Sequence, residues 1–182
     1  MDVREERVGD ADGVREVNLR AFGDHGVVVA ALVESLRESV AAGHGLSLVA
    51  EERGRVVGHV MFTQSLLDAP RRLVDVQVLS PLAVLPERWR RGVGRALVRT
   101  GLERMAARGV PLVFLEGDPR YYARLGFEPG GEHGFRKPSL RIPDAAFQVV
   151  RLPAHEPWMT GTLVYPQPFW RHDAVGLRDP EA

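Results

Sequence analysis

The residues of this chain best suited to chemistry fall into two clusters. The first is Pro86-Glu87-Arg88-Trp89-Arg90-Arg91-Gly92-Val93-Gly94-Arg95, which follows an apolar run ending at Val84. A helix patterned by Val93, Leu97, Val98, Leu102 and Met105 comes next. The first N–H groups of a helix lack acceptors within it and carry the positive end of its dipole. Strand, basic glycine turn and helix in that order therefore present donors to an anion, above all a phosphate. Glycine lets the backbone approach that anion with no Cβ in the way. The amides from Arg91 to Ala96 form the candidate cradle, with Arg88, Arg90, Arg91 and Arg95 as surrounding positive charge. The second cluster is Glu116, Asp118, Tyr121 and Tyr122, followed by Gly126-Phe127.

A dinucleotide-binding turn would read G-x-G-x-x-G/A directly after its strand. Here Leu97 holds the sixth position, and Gly92 lies eight residues beyond Val84. Glu116 does stand at the end of the next strand, where a ribose-binding acid belongs, so a nicotinamide-dinucleotide protein is kept as the lesser alternative. The Walker pattern fails because no Lys-Ser/Thr follows the second glycine.

The run Leu82-Ala83-Val84 … Arg90-Arg91-Gly92-Val93-Gly94-Arg95-Ala96-Leu97 resembles the central motif of the GNAT N-acetyltransferase superfamily, Gln/Arg-x-x-Gly-x-Gly/Ala between a strand and a long helix. Tyr122-Ala123-Arg124-Leu125-Gly126-Phe127 is similar to its second motif, tyrosine-x-Lys/Arg-x-Gly-Phe, at the usual separation of one helix and one strand. Trp89 stands where the family usually has Gln or Arg. The resemblance implies acetyl-CoA as cosubstrate, its pyrophosphate on Arg90, Arg91, Gly92, Val93, Gly94, Arg95 and Ala96. It also implies that backbone groups of Leu82, Ala83 and Val84 meet the pantetheine arm and the acetyl carbonyl. Tyr122 matches the family's general acid: the leaving thiolate, whose thiol has a pKa near 8.5, can take a proton from a tyrosine near 10 in the same site. Glu116 is the candidate base, with a solvated loop acid as its plain alternative. Asp118 reads as a helix cap, His59 as a sheet residue, and nothing singles out His133. The implied reaction is direct acetyl transfer to a primary amine of a small molecule or peptide. A CoA-binding or sensor module of the same fold, without turnover, is the second reading, kept open by Trp89 and the lack of a clear base.

The elements that must hold these residues can be read from periodicity. Val3–Arg7 suggests a first strand, Asp10 or Asp12 a cap for a helix carrying Val14, Val17, Ala21 and Phe22, and Val28 to Val40 a second helix. Leu46–Glu52 and Arg55–Thr63 flank Arg53-Gly54, a hairpin signal. Val74–Val84 pairs next, Pro81 marking an interruption or a sheet edge. Leu112–Leu115 is a buried strand, Asp118-Pro119 starts a short helix, and Ala146–Leu152 and Gly161–Tyr165 are late strands. The order β-α-α-β-β-β-α-β-α-β predicts an α/β fold of the α+β type: a mixed, mostly antiparallel central sheet flanked by helices. A single acetyltransferase domain over 1–165 and an irregular tail over 166–182 are expected. Trp158, Phe169 and Trp170 could wall an acceptor pocket, form a homodimer contact or close the core.

Composition excludes other chemistry. The chain has 182 residues, zero formal net charge and no cysteine. Disulfides, thiolate metal sites and cysteine nucleophiles are therefore out. Charge balance argues against general nucleic-acid or membrane-surface binding. The six histidines are scattered without metal-ligand spacing, so no metal is expected. Met1–Arg7 has no apolar h-region, which makes a soluble cytoplasmic protein the expectation.

Overall fold

A hydrophobic period of 3.6 residues builds the first two helices, and their buried stripes show it. The computed structural model describes residues 1–180. Its chain divides into two compact units, Met1–Thr63 with Leu79–Met105, and Gln64–Val78 with Ala106 onward.

In the first unit, strand β1 (Asp2–Glu5) leads into helices α1 (Ala11–Phe22) and α2 (Gly26–Ala41). Val14 and Val17 of α1 are fully buried, as are Ala30, Val33 and Leu36 of α2. Asp10 occupies the cap position of α1 but makes no cap bond. Its carboxylate takes the Arg4 guanidinium at 2.6 and 2.8 Å and the Arg7 amide at 2.7 Å. A charged fork outcompetes a helix N–H for the same oxygens. Strands β2 (Leu46–Glu52) and β3 (Arg55–Asp68) form the expected hairpin, antiparallel, with a register shift at Ala50/Glu51. β1 pairs antiparallel with β2 on its other side. Strand β4 (Leu73–Val84) follows, then helix α3 (Val93–Ala107), which buries Val93, Leu97, Val98 and Met105.

A polar chain runs through the core of this unit. Ser47 donates to Glu6, so its oxygen accepts from His59 Nε2–H at 3.0 Å. His59 Nδ1 is then the acceptor for the Asn18 amide at 3.1 Å, and that amide also donates to Val14 O. One tautomer satisfies the whole ring. Burial, aided by Arg37, pushes the His59 pKa down to about 3. It is the satisfied sheet residue that its position suggests.

In the second unit, β5 (Leu112–Glu116) pairs parallel with β4 through Gln77↔Val113 and Val78↔Phe114. β4 itself continues to Val84 through a cis Ser80–Pro81 peptide. Helix α4 (Pro119–Tyr122) precedes the short strands β6 (Glu128–Pro129) and β7 (Phe135–Arg136). β8 (Phe147–Arg151) lies antiparallel between β5 and β6. β9 (Gly161–Val164) pairs antiparallel with the end of β3 and parallel with β7. The residues from 166, expected irregular, contain helix α5 (Gln167–Arg171). Phe169 is its anchor, 1% exposed and 5.0 Å from the Tyr165 ring. Phe169 thus closes the core, while Trp158 lies under the Arg71 and Arg72 guanidinium groups. The sheet as a whole is mixed and mostly antiparallel.

Candidate functional site

The glycine turn is held from both ends. After β4, Leu85 N–H bonds Val57 O at 3.0 Å, and Pro86–Arg88 form one 3-10 turn. Glu87 takes Arg20 through two bonds, and Arg88 Nε meets Glu52 at 2.6 Å. Arg88 is therefore committed to a protein carboxylate and does not stand free beside the cradle.

Trp89 follows. Its indole N–H donates to Val84 O at 2.8 Å, which ties the loop to the last residue of β4, while the side chain stays 56% exposed. Arg90 then adopts φ +60° and Gly92 φ +82°. Left-handed residues next to a right-handed helix start turn successive N–H groups inward into an anion-binding concavity. Open space surrounds the point where a Gly92 Cβ would stand, so it is the positive φ that calls for glycine here. The first intrahelical bond is donated by Ala96 to Gly92 O at 3.0 Å. Val93, Gly94 and Arg95 accordingly have N–H groups with no helical acceptor. Arg90, Arg91 and Arg95 are exposed and form no ion pair among the described residues. Of the amides that the sequence reading names, those of Val93, Gly94 and Arg95 have no helical acceptor, whereas the Ala96 amide is taken by Gly92 O. Leu82, Ala83 and Val84 supply the strand end behind the cradle, Ala83 buried and the other two half-buried.

The second cluster belongs to the other unit. Asp118 caps α4 through the Arg120 amide at 2.9 Å, with Pro119 at the first helical position. Gly126 ends the following turn at φ +91°. Tyr122 O accepts from Phe127 N–H, and the Phe127 ring stands 5.7 Å from that of Tyr122, edge-on. On another side Gly117 makes room: a Cβ there would lie 2.5 Å from Tyr122 Cε2. The Tyr122 ring is thereby fixed. Burial, with Tyr121 beside it, pushes its phenol pKa well above the ordinary value, which keeps the proton on oxygen at neutral pH. The hydroxyl bonds no described residue. Tyr121 packs edge-on against it at 4.9 Å.

Glu116 has partners that no local spacing announces. Oε1 accepts from the Tyr165 hydroxyl and Oε2 from the Gly176 amide, both at 3.0 Å. Burial raises its pKa, against the lowering effect of these two donors. Each oxygen keeps a second lone pair, so the carboxylate is both anchored and able to accept. Tyr165 and Gly176 are the residues that sequence reasoning missed. Gly117 O is also engaged, by Gln148 Nε2 at 3.0 Å. His133 lies 3.3 Å from Glu128.

Comparison with known proteins bears on the same residues. The profile of the acetyltransferase (GNAT) domain matches residues 2–130. The chain is 39% identical to YjhQ, an uncharacterized N-acetyltransferase of Escherichia coli K12, over 85% of this chain and 86% of that one. It is similar in structure to the Escherichia coli GNAT family N-acetyltransferase YhbS in complex with CoA, with a TM-score of 0.83 and 32% identity over 97% of this chain and 95% of that one. A GNAT family acetyltransferase from Brucella melitensis in complex with acetyl-CoA gives a TM-score of 0.72 at 32% identity, covering 92% of this chain and 97% of that one. With both sequence motifs, the glycine-turn geometry and this likeness in agreement, the chain belongs to the GNAT acetyltransferase family.

Proposed function

We propose that the protein is an N-acetyltransferase that moves an acetyl group from acetyl-CoA to a primary amine of a small molecule or peptide. The observation that carries this reading is the mouth of α3: a left-handed turn at Arg90 and Gly92, helix N–H groups without acceptors, and three uncommitted arginines around them. These groups fit a pyrophosphate, each charge-assisted hydrogen bond contributing about 1.5–3 kcal/mol. The related structures hold CoA and acetyl-CoA, which supports that ligand for this cradle.

Bound acetyl-CoA supplies a thioester carbonyl open to attack by an amine. The acceptor ammonium gives up one proton to reach its nucleophilic form, and Glu116, with its raised pKa, is the carboxylate we assign to receive it. The amine nitrogen then forms the amide C–N bond as the C–S bond breaks. Tyr122, held protonated by burial, donates to the leaving sulfur and recovers a proton from the amine nitrogen through solvent. Transfer is direct, the amine itself attacking the thioester; with no cysteine in the chain, no cysteinyl acyl-enzyme can form.

Thiol release from acetyl-CoA across an amine panel tests the reading. Tyr122→Phe should lower kcat about 100-fold, within the range for general acid catalysis, and leave acetyl-CoA affinity unchanged. An unaltered kcat, with chemistry limiting, would make Tyr122 a packing residue. CoA binding without turnover on any amine would identify a sensor module instead.

A further inference from the structure

Arg141 is a half-buried residue of the second unit that the reaction above leaves unused. It stands in a turn: its amide N–H donates to Ser139 Oγ at 3.2 Å, and the Ile142 N–H donates to Ser139 O at 3.2 Å. The segment after α5 is pressed onto this turn. Val175 is fully buried, Leu177 N–H donates to Arg141 O at 3.0 Å, and Gly176 adopts φ +60°. A Cβ on Gly176 would lie 2.6 Å from Arg141 C, so no side chain fits between the two backbones.

One peptide unit then links Arg141 to the candidate base. Arg141 Nη1 donates to Val175 O, and the N–H of the same peptide, that of Gly176, donates to Glu116 Oε2 at 3.0 Å. In a trans peptide the C=O and N–H point to opposite sides. The guanidinium and the carboxylate therefore stand at opposite edges of one plane, within about 8 Å of each other by ordinary hydrogen-bond lengths. The positive charge of Arg141 also reaches Glu116, where it acts to lower the pKa. Both groups keep free valence. Nε and Nη2 of Arg141 bond no described residue, and each Glu116 oxygen retains a lone pair.

Opposite charges at this spacing fit a ligand that carries both signs close together. The ammonium and carboxylate of an α-amino acid lie about 3 Å apart, and one hydrogen bond of about 3 Å at either end spans the gap. A simple amine or a peptide N-terminus would leave the guanidinium unanswered. From this juxtaposition we infer that the acceptor is a free α-amino acid, its carboxylate on the Nε–Nη2 edge of Arg141 and its ammonium on Glu116. A guanidinium edge meets a carboxylate through two parallel bonds. Glu116 binds the ammonium and then receives its proton, so one group serves both steps. The acceptor role rests on the N-acetyltransferase reading above; the binding of the amino acid does not.

Calorimetry on the full-length protein, with and without CoA, tests the binding. The probes are L-alanine, L-leucine, L-methionine, L-phenylalanine and L-glutamate, each against its α-carboxamide, which lacks the carboxylate. At least one acid should bind saturably, and its amide about 10- to 100-fold more weakly, the scale of one charge-assisted contact. Arg141→Gln should abolish that preference. Arg141→Lys keeps a charge and a donor for Val175 O but has no planar edge, so the preference should fall without vanishing. This second variant carries the test even where Arg141→Gln does not fold. A residue that only braced the chain would weaken acid and amide alike and leave their ratio unchanged. Absence of saturable binding by all five acids, equal affinity for acid and amide, or a ratio that survives substitution would overturn the assignment. If other amines are acetylated and no amino acid is, the acceptor role falls and the transferase reading stands. If the acids bind with the stated preference and no amine is acetylated, the transferase reading falls alone.

Discussion

Trp89 shows how one neutral side chain can shape a turn. Its indole carries no charge and stands in the glycine turn among four arginines. Its single donor is spent on Val84 O, so its contribution is to hold the turn in shape. Preorganisation of this kind lowers the ordering cost of binding. Trp89→Phe keeps a ring and removes the donor. It should weaken acetyl-CoA binding about 3- to 10-fold, the equivalent of one hydrogen bond, with no change in kcat at saturation. Calorimetric titration of acetyl-CoA checks this; equal affinities would mean that the turn keeps its shape without the indole. Arg88 makes the complementary point. Its type and position suit a phosphate ligand, yet Glu52, 36 residues earlier, already holds it. Free and committed arginines look alike in a sequence.

Among the elements, those built from neighbouring residues were the legible ones. The start of the helix after Gly92, and the capped helix that carries Tyr122, make their turn and cap hydrogen bonds between residues only a few positions apart. Asp118, Pro119 and Gly126 announce their roles by type and spacing alone. What stayed hidden depends on long separations. Glu116 meets Tyr165 across 49 residues and Gly176 across 60. Helix α5 is hidden for a related reason: a five-residue segment has too little period to read, and the burial of Phe169 holds it in place. Asp10 does not cap α1: its backbone is already helical, and its carboxylate is taken by Arg4 and the Arg7 amide. The contact between Gly117 and Tyr122 gives a test at this scale. Gly117→Ala puts a methyl group where the Tyr122 ring lies, at 2.5 Å from Cε2. The ring must turn, and kcat should fall about 10-fold or more, since misplacement by 1 Å costs up to about 100-fold. Affinity for acetyl-CoA should be retained. Unchanged kcat with an unchanged Tyr122 environment by NMR would refute the contact.

For the whole molecule, the buried histidine sets how stability responds to acid. His59 is neutral when folded, with a pKa near 3, and takes up a proton near pH 6.5 when unfolded. Above that pH both states are neutral and the residue is indifferent. As pH falls from about 6.5 towards 3, only the unfolded chain binds the proton, and stability drops by up to about 1.4 kcal/mol per pH unit from this group. Urea midpoints measured from pH 7 to pH 4 should therefore decline. His59→Gln should be less stable at pH 7, having lost part of the polar chain, but should decline less steeply. Parallel slopes would show that other groups govern acid unfolding.

The Gly176 amide has a consequence for how the protein is handled. Cleavage before Gly176 removes this donor and leaves every strand of the described residues in place. Its removal would withdraw one of the two bonds that lower the Glu116 pKa, so the carboxylate would hold its proton to higher pH. Two batches of protein alike by circular dichroism, one of them cleaved before Gly176, should then show acidic limbs of their rate profiles displaced from each other.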